Sequence, residues 1–177
     1  MMIIRSAGPE DAEAVEDARG RSWRAAYEGL LPRTMIEELT GPAAVERRRQ
    51  WAAANPRGRT LLAEVSGAPA GMAAYGPERH PPEGPLIGRS RVELYSIYVA
   101  PDHWAAGVGR ALMDRVVEEC RKAGHDRLVL WVLTTNARAR RFYDRAGFTE
   151  EGHRDYDMAG HIIPETRYER PLTPSAP

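Results

Sequence analysis

Apolar residues recur along the chain at two periods. Val15, Ala18, Trp23, Ala26 and Tyr27, with Ser22 among them, fall near helical spacing, and Val108, Leu112, Val116 and Cys120 repeat every four residues. Helices are therefore predicted between Asp11 and Gly29 and over residues 107–123. The first opens on Gly8-Pro9-Glu10-Asp11, where proline and acids suit a helix start, and residues 29–32 break it. A second helical stretch covers about residues 34–55, with Gly41-Pro42 inside it, and reads as one helix or as two pieces. Residues 2–6, 60–65, 69–75, 92–99 and 127–133 have strand patterns, and Ser66-Gly67-Ala68 joins two of them as a turn. Residues 136–146 form the last helix, and two strands near 148–158 and 161–170 follow. Gly124 and Gly147 stand where helix C-caps are expected.

Strand, helix, strand over residues 92–133 implies a right-handed crossover with two parallel strands. The earlier and later strand pairs should be hairpins. The expected class is α/β (α+β), with a mixed, mostly antiparallel sheet. The proline- and glycine-rich residues 76–89 read as a long loop suited to binding or mobility.

Composition narrows the function. With 177 residues, 42% hydrophobic and 28% charged, the chain suits one folded domain over residues 1–170, followed by a tail at 171–177. Lys plus Arg and Asp plus Glu both total 25, which removes the global electrostatic reason to bind nucleic acid or an anionic membrane. The single cysteine, Cys120, belongs to an apolar helix series and reads as a buried thiol, not a nucleophile. The N-terminus is too short for a signal-peptide core and the apolar run 128–133 is far below a membrane span, so the cytoplasm is the expected location.

Two segments carry candidate chemistry. In Val99-Ala-Pro-Asp-His-Trp104-Ala-Ala-Gly107-Val-Gly109-Arg110-Ala-Leu112 a strand turns into a helix with glycines among its first residues. Unpaired N–H groups and the positive helix end then meet at one spot, which favours phosphate. The same glycines also suit close helix–strand packing. A dinucleotide fingerprint would want a third glycine where Leu112 stands, and a P-loop would want Gly-Lys-Ser/Thr; neither is present. The second segment is Asn136-Ala-Arg-Ala139-Arg-Arg-Phe-Tyr143-Asp-Arg-Ala-Gly147-Phe148. Seven residues make about two helical turns, so Asn136 and Tyr143 look the same way from opposite ends of one face. They could line one groove; alternatively Asn136 caps the helix and Tyr143 packs with Ala139, Phe142 and Ala146.

Together these segments resemble the GNAT superfamily of acyl-CoA-dependent N-acetyltransferases. The likeness rests on Glu93-Leu-Tyr-Ser-Ile97-Tyr-Val99, on the Gln/Arg-x-x-Gly-x-Gly/Ala motif at residues 104–109, and on Asn136 and Tyr143 before Gly147-Phe148. It implies a six- to seven-stranded sheet with about four helices, in the order β-α-α-β-β-β-α-β-α-β-β. Trp104 departs from the motif, which has Gln or Arg there. The resemblance implies acetyl-CoA as cosubstrate, an amine as acceptor and no metal. Ile97 and Val99, with Tyr98 between them, would hold the pantetheine arm by the backbone. Trp104, Ala105, Ala106, Gly107, Val108, Gly109 and Arg110 would wrap the pyrophosphate, and Asn136, with Ala139 on the same helix, would meet the pantetheine.

An amine must lose a proton before it attacks a thioester, and the departing thiolate must gain one. By resemblance Glu93 takes the first, and its alternative is a strand-end acid paired with Arg89 or Arg91. Tyr143 matches the family's general acid. Trp23 and Tyr27 would fall near the acceptor groove, or form the core face of the first helix. Arg138, Arg140, Arg141 and Arg145 are either contacts for the 3′-phosphate of coenzyme A or a solvated helix face. The five histidines show no metal-site spacing. Besides a small-molecule or peptide acetyltransferase, two readings stay open: a protein N-terminal acetyltransferase, and an acyl-CoA sensor without turnover. A homodimer also stays open.

Overall fold

A computed structural model describes residues 1–79 and 90–172. The chain runs β1 (Met2–Ser6), α1 (Ala12–Ala26), α2 (Arg33–Thr40), α3 (Ala44–Ala54), β2 (Arg59–Val65), β3 (Ala68–Pro77), β4 (Arg91–Val99), α4 (Val108–Lys122), β5 (Arg127–Leu133), α5 (Ala137–Arg145), β6 (Thr149–Met158) and β7 (His161–Pro171). The strands are ordered β1-β2-β3-β4-β5-β7-β6 in one seven-stranded sheet. Five α-helices are described where about four were expected, because the second helical stretch is divided. Gly41 leaves α2 in extended backbone, and α3 begins afresh at Ala44. The long-loop expectation is shortened at its start, since Gly76 and Pro77 end β3; residues 80–89 of it lie outside the described residues.

The chain divides into two compact units, and the division passes through β4 and α4. The first comprises residues 1–75 and 96–115. Its strands pair antiparallel, β1 on β2 and β2 on β3, with the turn Ser66-Gly67 in left-handed backbone. Ala12, Val15, Ala18 and Trp23 bury one face of α1. Buried Glu16 on that helix accepts from Arg19 and Arg48, so α3 is tied to α1 by charge-assisted hydrogen bonds. Arg21 donates to the Pro69 carbonyl and to Asp102 at 2.9 Å, which fixes α1 against the turn after β4. Gly71 sits where the sheet meets α4: a Cβ there would lie 2.8 Å from the Tyr98 carbonyl oxygen and 3.2 Å from both Leu112 and Val108.

The second unit comprises residues 76–95 and the chain from Val116. Here β4 pairs parallel with β5 from Arg91↔Arg127 to Leu94↔Leu130, as the crossover pattern requires. The final hairpin is antiparallel, but β7 and not β6 takes the place beside β5. Leu128, Leu130, Val116, Val117 and Tyr168 are buried in its core. Residues 171 and 172 of the expected tail belong to the fold, and residues 173–177 lie outside the described residues. Pro171 ends β7, while Leu172 is buried and donates its N–H to the Asp126 carbonyl, because an apolar side chain next to a sheet gains more from burial than from solvent. No helix among the described residues is long and apolar enough to cross a membrane.

Gly71→Ala should destabilise the protein by about 1–3 kcal/mol, since the added methyl meets a backbone carbonyl that cannot rotate away. Gly152→Ala, where a Cβ meets nothing within 4 Å, should shift the denaturation midpoint little. Urea unfolding of the two variants checks the contrast.

Candidate active site

In the first unit, β4 ends on a turn whose geometry follows from its residues. Ala100 donates its N–H to the Ala70 carbonyl of β3, and the Trp104 indole donates to the Val99 carbonyl at 2.7 Å. Trp104 therefore braces the turn by its side chain, which accounts for a tryptophan at a position the motif gives to Gln or Arg. Ala105 (φ 62°) and Gly107 (φ 81°) are left-handed. A Cβ at Gly107 would project into open space, so it is the backbone angle that requires glycine there. Ala105, Ala106 and Gly107 are exposed, whereas Val108 is buried and anchors α4. The N–H groups of Val108, Gly109 and Arg110 in the first turn have no intrahelical acceptor, and Ala111 is the first to bond back, to the Gly107 carbonyl. Donors without intrahelical acceptors at a positive helix end, beside an exposed turn with open space at Gly107, fit a pyrophosphate. The Arg110 side chain is exposed and pairs with Asp114 at 3.5 Å.

Ile97, Tyr98 and Val99 are half-buried, and the ladder between β4 and β5 ends at Leu94. Trp23, Tyr27 and Tyr98 come together in this unit: the Trp23 ring packs edge-on against Tyr27 at 4.7 Å and Tyr98 at 6.1 Å. Trp23 is buried, as the core-face alternative requires, yet its indole N–H is buried without a partner.

In the second unit, the Asn136 side-chain oxygen Oδ1 accepts the N–H of Ala139 at 3.1 Å, so Asn136 caps α5. Tyr143 is buried, with its ring edge-on to Phe142 at 5.5 Å and to Phe148 at 5.8 Å and tilted against Tyr168 at 6.1 Å. Arg140 donates to the Tyr168 hydroxyl, the Thr134 carbonyl and Glu150. The Tyr168 bond, chiefly, holds its pKa above the ordinary value. That set of partners makes Arg140 a tether between α5 and the sheet, not a phosphate contact.

Glu93 is 1% exposed, and its alternative reading as an acid paired with Arg91 is corrected. Its partner is Arg79, which donates Nη2 and Nε to Oε1 at 2.6 and 3.1 Å and its backbone N–H to Oε2 at 2.8 Å. Arg91 lies 3.7 Å from Glu169, while Arg89 is outside the described residues. Burial opposes the charge of Arg79, but the bonds to Glu93 more than offset it and its pKa is raised. The Arg79 guanidinium also lies 4.5 Å from the Tyr95 ring.

The sequence reading missed the company Glu93 keeps. Strand alternation places Glu93, Val129 and Trp131, Arg167 and Glu165, and Arg154 and Tyr156 on one sheet face. The Arg154 guanidinium stacks 4.0 Å from the Trp131 ring centroid and pairs with Glu165 at 2.7 Å. Arg167 reaches Glu78 at 2.8 Å. Alternation of polar residues in β6 and β7 was the available signal, but without the strand order it named no partners. Among the described residues no group of three or more His, Cys, Asp or Glu is placed to hold a metal ion.

The model of the acetyltransferase (GNAT) family matches residues 20–148. The chain is 29% identical over 136 residues to YuaI of Bacillus subtilis (strain 168), described as an uncharacterized N-acetyltransferase, covering 77% of this chain and 74% of that one. It is similar in fold to the PaiA N-acetyltransferase from Thermoplasma acidophilum in complex with coenzyme A, with a TM-score of 0.75, 20% identity and coverage of 97% and 99%. It is likewise similar to YncA of Salmonella typhimurium, a structure with acetyl-CoA, with a TM-score of 0.70, 23% identity and coverage of 99% and 96%.

Burial pushes the Cys120 thiol up to about 12, so the thiolate fraction at pH 8 is negligible. Iodoacetamide at pH 8 should leave the folded protein unmodified and alkylate Cys120 once it is unfolded in guanidinium, as read by intact mass. Rapid alkylation of the native protein would contradict that placement.

Proposed function

The chain belongs to the GNAT acetyltransferase family, and we propose that it transfers the acetyl group of acetyl-CoA directly to an amine of a small molecule or peptide, in a ternary complex. The observation that carries this reading is the exposed, left-handed turn at Ala105–Gly107 that opens onto the free N–H groups of α4. Those donors would hold the pyrophosphate. The backbone of Ile97, Tyr98 and Val99 would take the pantetheine as an added strand, with Asn136 and Ala139 along α5 as further contacts.

Acetyl-CoA supplies a thioester carbonyl as the acetyl donor. For the rest, this chain must move two protons. The amine nitrogen forms a bond to the carbonyl carbon and gives up a proton, which Glu93 takes directly or through water. Both oxygens of Glu93 already accept bonds from Arg79, and that holds the carboxylate in one orientation. As the carbon–sulfur bond breaks, the Tyr143 hydroxyl gives its proton to the sulfur. No covalent enzyme intermediate is needed, which agrees with the burial of Cys120. Trp23 and Tyr27 are assigned to the acceptor side, with the buried Trp23 indole N–H as a donor that lacks a partner.

Acetyl-CoA and CoA should raise the melting temperature far more than NAD or ATP. Gly107→Val, which places a β-branched side chain at φ 81° and in the open space before α4, should abolish the CoA-induced shift; stabilisation by NAD equal to that by CoA would refute the cofactor assignment.

Tyr143→Phe keeps the ring and its packing, and should lower turnover about 10-fold to 1000-fold with little change in acetyl-CoA affinity. Glu93→Gln should lower it about 100-fold or more. Release of free thiol across a panel of aminoglycosides, polyamines, amino acids and peptide N-termini measures both, and its absence with every amine would favour a sensor without turnover.

A further inference from the structure

Glu93 stands where a carboxylate has little reason to stay charged. It is 1% exposed, and burial favours the neutral form of a carboxyl group, which cannot take up a proton. What opposes burial comes from one residue. Arg79 supplies the three hydrogen bonds that Glu93 accepts among the described residues: Nη2 and Nε donate to Oε1, and the backbone N–H donates to Oε2. The guanidinium thereby brings a full positive charge to 2.6 Å from Oε1, and an opposite charge so near favours the ionised carboxylate. A carboxylate has about four acceptor positions. The one left over is on Oε2.

The guanidinium is itself held in place. Its central carbon lies 4.5 Å from the Tyr95 ring centroid, and the Tyr95 hydroxyl donates to the Pro77 carbonyl at 2.6 Å. The other charges on this sheet face are committed elsewhere. Glu169 of β7 faces Arg91 of β4 and Arg127 of β5 at 3.7 and 2.9 Å, Glu165 pairs with Arg154 of β6 at 2.7 Å, and Arg167 lies 2.8 Å from Glu78. Tyr156 of β6 is near enough to act on the charge of Arg79 and is stacked by Arg154 at 4.7 Å. Opposite Glu93 on β5 stands Val129, which does not titrate. Among the described residues, Arg79 alone brings a charge into contact with Glu93.

We propose that Arg79 is the positioning residue of the base: its charge keeps Glu93 ionised in a dry place, and its three donors leave one lone pair of Oε2 to receive the proton of the amine, directly or through a water. This rests on the acetyl-transfer reading and deepens it, by accounting for a base that solvent does not reach. The nitrogen loses its proton as it bonds to the carbonyl carbon, and Oε2 gains it. Arg79 keeps its own proton throughout, because a guanidinium does not deprotonate in this range.

The test titrates the full chain, labelled with carbon-13 at glutamate Cδ, by NMR; the Glu93 signal is the one absent from Glu93→Gln. Arg79→Gln keeps the backbone donor and removes the charge, and should move the Glu93 titration about 1–3 pH units upward. Arg79→Lys keeps the charge, loses the fork and should move it less. Tyr95→Leu takes the ring from beside the guanidinium and should cause a smaller displacement in the same direction. Melting curves establish that each variant is folded. Thiol release with a single acceptor makes the amine's own ionisation common to all variants, so the low-pH limb of the kcat/KM profile should move with the NMR titration. Arg79→Gln should add no displacement in a Glu93→Gln background. The proposal is overturned if the Glu93 titration is unmoved in folded Arg79→Gln, if Arg79→Lys moves it as far, or if folded Arg79→Gln outpaces the wild type on the low-pH limb. A displaced titration without thiol release from any amine would refute the transferase reading and leave the hold of Arg79 on Glu93 standing. Thiol release that needs Glu93, with a titration indifferent to Arg79, would refute this proposal alone.

Discussion

The close approach at Gly71 is the constraint from which the first unit's chemistry follows. The Tyr98 carbonyl of β4 and the side chains of Val108 and Leu112 on α4 all converge on a Cα that has no side chain. Only because β3 yields that space can α4 lie so near β4 that the connection between them is a short turn. A short connection has to reverse sharply, and it does so through left-handed backbone at Ala105 and Gly107, with the Trp104 indole tied to the Val99 carbonyl. The first N–H groups of α4 are thereby left without intrahelical acceptors at a fixed place. A donor array held by packed backbone loses little entropy when it meets a phosphate, so its rigidity is part of its affinity.

The second unit is organised differently, around charges placed in a sheet. Glu93, Glu165 and Glu169 are all buried, and a carboxylate taken from water costs several kcal/mol unless it is paired and hydrogen-bonded. Arginine pairs with each: Arg79 and Arg154 donate hydrogen bonds to Glu93 and Glu165, and Arg127 lies at ion-pair distance, 2.9 Å, from Glu169. Pairs of this kind are poor sources of net stability, and a core of apolar side chains would serve that purpose as well or better. Glu78 and Arg167 meet at 2.8 Å without an aligned bond, and Arg91, 3.7 Å from Glu169, likewise leaves its buried Nε without a partner.

Several side chains serve structure and chemistry together. Asn136 caps α5 with its side-chain oxygen Oδ1, which fixes where that helix starts and so where Tyr143 stands two turns later. Tyr143 lies against Tyr168, whose hydroxyl accepts from Arg140, and Arg140 also reaches Glu150 on β6. The phenol is therefore held by a packed aromatic cluster and not by a loop. On the proposed reading such support would serve proton transfer to the leaving group, which depends steeply on distance and direction.

Local pattern was enough to reveal the helices, the strands, the parallel crossover, the Gly107 turn, the capped helix with Tyr143, and a buried Cys120. Each depends on spacing within a few residues, on glycine's access to positive φ, or on apolar periodicity, and the chain carries that information in contiguous letters. The division of residues 34–55 at Gly41-Pro42 was left open, since both pieces have helical composition. Pairings across long sequence separations lay beyond local reading. Arg79 for Glu93, Arg167 for Glu78, β7 beside β5, and the methyl-sized gap at Gly71 all depend on strand order and register, which no single segment encodes. A one-residue change of register would turn Trp131 and Arg167 to the opposite face, so the ion pairs of that face exist only once these strands have paired.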